Sequence, residues 1–137
     1  MTIREKKHFL SGYIRAQNAI EGDLEEMERW MTIGTKVNQT YSFATVAGGD
    51  TKSKVERAAV EIQTIIEGIS EDIARAEEQK KAVICAINAK CRYQRQREML
   101  LYRYVKRLSD ARIAVILGKD VKTVQRCINQ AIRDIDL

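Results

Sequence analysis

Not one of the 137 residues is proline. A proline inside a helix removes a backbone hydrogen bond and clashes with the preceding turn, so a chain without any is free to run in long helices. Seven glycines are the remaining punctuation, and an apolar share of 45% is enough for a packed core. Two stretches carry the spacing of an amphipathic helix. The first places Leu10, Tyr13, Gln17, Ile20, Leu24, Met27 and Met31 in alternating steps of three and four; the second places Val55, Ala59, Ile62, Ile66, Ile69, Ile73, Ala76, Lys80, Val83 and Ile87 likewise. Thr2 with Glu5, and Ser53 with Glu56, have the capping-box spacing that opens a helix. Gly34 is expected to end the first helix. Residues 34–52 have no sustained period and contain Gly48-Gly49, so a long mobile connection is expected there, with Val37, Tyr41, Phe43 and Val46 available to dock on the helices. The fold class is therefore all-α, with residues 1–89 forming a long, coiled-coil-like antiparallel helical hairpin. A single hairpin leaves apolar surface uncovered, which points to a homo-oligomer held through it.

The formal charge of +5 is unevenly spread. Residues 1–89 carry 12 basic and 14 acidic side chains, while residues 90–137 carry 12 basic and only 5 acidic ones. A concentrated cationic segment is what a phosphate-binding module requires. The sign changes near Lys90-Cys91-Arg92-Tyr93, where the heptad also weakens, so a domain boundary is placed at 89/90. Other classes fall away. No apolar run reaches the roughly 20 residues of a membrane helix, and no secretory signal follows the charged N-terminus, so a cytoplasmic protein with no membrane partner is expected. Cys85, Cys91 and Cys127 form no CxxC pair and read as small buried hydrophobes. With His8 the single histidine, and with no Gly-rich phosphate loop or paired carboxylates, the sequence offers no catalytic constellation, metal site or cofactor site.

The last 45 residues divide into three short helices. The first runs from about Gln94 to Val105 and buries Met99, Leu100, Leu101, Tyr102 and Tyr104. Ser109 and Asp120 stand where N-caps of the next two helices belong. Between them, Ile113-Ala114, Leu117-Gly118, Thr123-Val124 and Cys127-Ile128 fit a helix-turn-helix. Ala114 must be small where the helices approach. Gly118 permits the positive φ of the turn, and the aliphatic residues fill the wedge. Lys119 stands where an aliphatic residue is usual, its methylenes covering the core edge.

The stretch Arg97-Glu-Met-Leu-Leu-Tyr-Arg103-Tyr104-Val, with Ser109, Ile113-Ala114, Leu117-Gly118, Thr123-Val124 and Ala131-Ile132, resembles region 4 of sigma-70-type factors. In organisation, the whole chain resembles the ArpU/RinA-like transcriptional regulators of Gram-positive phages and prophages. The resemblance implies regulation of phage gene transcription, with RNA polymerase as a further partner. In such a motif the third helix enters the major groove of double-stranded DNA. Val121, Lys122, Gln125, Arg126 and Asn129 are then the base-contacting candidates: Gln125 for adenine, Arg126 or Lys122 for guanine, Val121 for a thymine methyl. Lys106, Arg107, Arg112, Thr123 and Arg133 are the phosphate-contacting candidates. Two alternatives stand beside this reading. One is a helical adaptor that docks on RNA polymerase or another protein without binding DNA. The other is a DNA-packaging component like a small terminase subunit, although those usually carry the DNA-binding motif nearer the N-terminus.

Overall fold

A computed structural model describes the backbone of residues 1–43 and 48–137 and the side chains of residues 1–35 and 54–137. Among the described residues there are six helices and no strand: α1 (Ile3–Leu10), α2 (Gly12–Phe43), α3 (Gly48–Lys90), α4 (Gln94–Tyr104), α5 (Asp110–Leu117) and α6 (Val121–Asp134). No helix among them is long and apolar enough to cross a membrane. The chain divides into two compact units, one of residues 1–16 and 75–137, the other of residues 17–74.

Local chemistry sets several boundaries of the first unit. The Thr2 hydroxyl accepts from the Glu5 amide at 3.2 Å while the Glu5 carboxylate accepts from the Thr2 amide at 2.8 Å, completing the capping box of α1. That amide holds the Glu5 carboxyl below its ordinary range. α1 and α2 are separated only at Ser11, whose hydroxyl donates to the Lys7 carbonyl at 2.7 Å. Ser109 caps α5 by accepting from the Arg112 amide at 3.2 Å. The core of this unit is built from Leu10, Val83, Ile87, Met99, Leu100, Ile113, Val124, Ile132 and Ile135, all fully buried. Leu101 and Tyr102 pack at its edge, only half-buried. α1 lies against α6, α4 against α5 and α6, and α5 against α6. Lys6 fastens α1 to the end of α6, donating to the carbonyls of Ile135 at 2.6 Å and Arg133 at 3.1 Å. The expected boundary at 89/90 thus falls inside this unit, because Leu10, Val83 and Ile87 complete the same core as α4–α6.

In the second unit the backbone departs from expectation. Gly34 does not end the first helix, which continues to Phe43, and α3 begins at Gly48 rather than at Ser53. The expected connection over 34–52 is therefore mostly helix. A glycine costs a helix interior about 1 kcal/mol, too little to stop propagation that nothing else forbids. The expected docking of Val37, Tyr41, Phe43 and Val46 lies outside the described side chains. α2 and α3 meet at Asp23 with Asp72, and at Gly34, where an added Cβ would stand 3.7 Å from that of Ala58. The α3 side chains turned inward are Val55, Ala58, Ile62, Ile65, Ile69 and Asp72, whereas Ala59, Ile66 and Ile73, expected in the seam, are exposed. On α2, Leu24 and Met31 are exposed in the same way. The column one residue earlier wins because small Ala58 allows the close approach at Gly34.

Candidate nucleic-acid interface

α5 and α6 are joined through Gly118-Lys119-Asp120. Gly118 takes the left-handed conformation (φ 64°, ψ 39°), and the Lys119 amide reaches back to the Ala114 carbonyl at 2.9 Å while that of Gly118 reaches Val115 at 3.4 Å. This is a Schellman closure, which turns the chain sharply and satisfies the last carbonyls of α5. Lys119 is half-buried. Asp120 has the extended backbone of an N-cap, but its side chain makes no capping hydrogen bond, unlike that of Ser109.

α6 is strongly two-faced. Val124, Ile128, Ala131 and Ile132 are buried, while Val121, Lys122, Gln125, Arg126 and Asn129 are all exposed. At 100° per residue, Lys122, Arg126, Asn129 and Arg133 fall on one outward stripe. Gln125 lies on its flank and, with Asn129, lines a groove of about 370 Å³ whose other walls include Lys7, Arg103, Tyr104 and Asp110. The Arg103 guanidinium stands 3.5 Å from the Asp110 carboxylate, so the groove's one acidic wall is already paired. Val121 and Thr123 face instead a cleft at the α5–α6 turn.

The five phosphate candidates are exposed as well, but they do not form a single cluster. Lys106 and Arg107 follow α4. Lys106 rests its ammonium 5.0 Å from the centre of the Tyr102 ring, and Arg107 is held at φ 59°, an uncommon conformation for a side-chain-bearing residue. Arg112 extends from the first turn of α5, and Thr123 from that of α6. Arg133 donates to the Gln130 side chain at 3.0 Å, near the far end of α6. There Asp134 accepts from Gln96 at 2.9 Å and Gln130 at 2.7 Å, which holds its carboxyl below the ordinary range.

Lys7 is the residue that sequence reading missed. It comes from α1, remote in sequence from the groove it lines, and no local pattern announces that meeting. The cysteines also differ from expectation. Cys91 is buried, and burial pushes its thiol up, but Cys85 is exposed and Cys127 half-buried. Cys85 falls on an outer column of α3, between the inward Val83 and Ile87. Among the described residues no group of three or more His, Cys, Asp or Glu side chains is placed to hold a metal ion. Comparison with protein-family models, with curated proteins and with solved structures finds no match to this chain.

Proposed function

We propose that α5, the Gly118 turn and α6 form a helix-turn-helix and that the chain is a sequence-specific DNA-binding transcriptional regulator. The kind implied by its resemblance to ArpU/RinA-like phage proteins and to sigma region 4 includes RNA polymerase as a further partner. α2 and α3 form the accompanying antiparallel hairpin, supported by the opposed residue order of the Asp23–Asp72 and Gly34–Ala58 approaches. The observation that carries the reading is the two-faced α6. Its apolar stripe anchors it in a core, and its first two turns present Lys122, Gln125 and Arg126 outward with no ion pair or hydrogen bond engaging them among the described residues. Gln and Arg are among the side chains able to bond two groups on one base edge at once, and α6 offers both within a single turn of its N-terminal half.

Selection of bound fragments from a random duplex pool with the full chain, followed by mobility-shift titration at two salt concentrations, tests this. Arg126→Ala is expected to cost roughly 1–3 kcal/mol at the selected site and to relax preference at one base pair. Lys106→Ala is expected to weaken all duplexes about equally and to make the salt dependence shallower by roughly one phosphate contact. A pool from which the chain retains no duplex even at low salt would overturn the proposal.

A further inference from the structure

The unit of residues 17–74 carries eleven acidic against five basic side chains, in a chain whose net charge is positive. Its helices are antiparallel, and on both of them one apolar column stands beside the contact seam without entering it: Leu24 and Met31 on α2, Ile66 and Ile73 on α3. Both columns are rotated in the same sense from their seams. Between antiparallel helices, equal rotations turn both columns toward the same side of the pair. Glu21 and Glu28 on α2, and Glu56 and Glu67 on α3, are exposed at the positions bordering that side, while Arg29 and Arg57 fall on the far side. The hairpin therefore has one apolar strip whose charged border is acidic.

The other unit carries the complement. Val115 is 73% exposed, Ile116 47% and Val121 40%. Val115 and Val121 line the cleft of about 730 Å³ at the α5–α6 turn, where the small residues Ala111, Ala114 and Gly118 leave room for an inserted side chain. Its border is basic on balance: Lys119 and Asp120 line the cleft, Arg112 stands one turn from Val115, and Lys122 follows Val121, three cations against one carboxylate.

We propose that the acidic-rimmed strip of the hairpin docks into the α5–α6 cleft of a second copy of this chain. Apolar side chains then meet apolar ones, the acidic rim meets a border that is cationic on balance, and in the engaged copy Arg112, Val121 and Lys122 are closed to a duplex. A symmetric pairing of two hairpin strips would instead set carboxylates against carboxylates, which disfavours it. The two surfaces are different, so a pair of copies held by a single such contact keeps one strip and one cleft open.

Light scattering on the full chain across a wide concentration range tests the arrangement. The wild-type mass should rise above that of a monomer with concentration and fall with added salt. Ile66→Asp and Val115→Asp, both at exposed positions, should each weaken association by about tenfold or more, the scale of losing a central apolar anchor. Mixing the two variants is the decisive step, because one intact strip and one intact cleft remain. The mixture should form dimers and stop there. Circular dichroism checks that each variant is folded; if either is not, Ile66→Ser and Val115→Ser read the same surfaces. A wild type that stays monomeric overturns the proposal, as do a Val115→Asp variant that assembles like wild type and a mixture that fails to pair.

Discussion

Gly118 is where a single residue decides how α6 leaves α5. Its φ of 64° is open to glycine and strained for other residues, and an added Cβ would meet nothing within 4 Å. Gly118→Ala is therefore expected to destabilise the fold by about 1–2 kcal/mol through the backbone alone, measurable as a lower midpoint in denaturant with an unchanged slope. A neutral result would mean that the turn relaxes without cost. This residue was legible in the sequence because its reason is local: the glycine follows the last apolar turn of α5 and the cap that opens α6 stands two residues on. Ser109 was legible for the same reason. Cys85 was not, since whether a helix residue points inward depends on which column its partner covers, and a one-residue change of column reverses the answer.

At the scale of the elements, the α2–α3 contact contains a titratable pair. Asp23 has its carboxyl pushed up, first by a hydrogen bond shared with Asp72, then by burial, then by the neighbouring charges of Asp72 and Glu26. A carboxyl whose folded pKa is raised binds its proton more readily in the folded state, so stability rises as pH falls through the carboxylate range and is lower at neutral pH. Asp23→Asn keeps a hydrogen-bond donor toward Asp72 without the charge. It should raise the melting temperature at neutral pH and flatten the pH dependence between neutral and acidic solution, as thermal melts at several pH values would report. A variant that melts lower at neutral pH would contradict the pairing. The existence of both long helices was plain from their periodicity, but their inner register was not. Columns containing Ala59, Ile66 and Ile73 are more apolar than those containing Ala58, Ile65 and Asp72, and the better-looking column is the one left outside. The span 34–52 was misread for a related reason: glycine and loss of period argue for a break only when a competing structure exists, and without proline none is forced.

The molecule as a whole is divided differently from its charge. The cationic segment after residue 89 does not close its own core; Leu10, Val83 and Ile87 are fully buried within it, and Lys6 holds two of its last carbonyls. A fragment of residues 90–137 should consequently melt without cooperativity, or be unfolded, under conditions where the full chain is folded, as circular dichroism would show. A sharp transition for the fragment would return the boundary to 89/90. The sequence holds no sign of this meeting, because Lys6 and Ile135 are 129 positions apart and an amphipathic turn does not name its partner. The same stitching imposes an order of events on synthesis. Helix α1 is made before α6, yet the surface that shelters Phe9 and Leu10 is not finished until α6 and Ile135 have been translated. During synthesis the apolar side of α1 must therefore wait uncovered for more than a hundred residues, the interval in which non-native contacts compete.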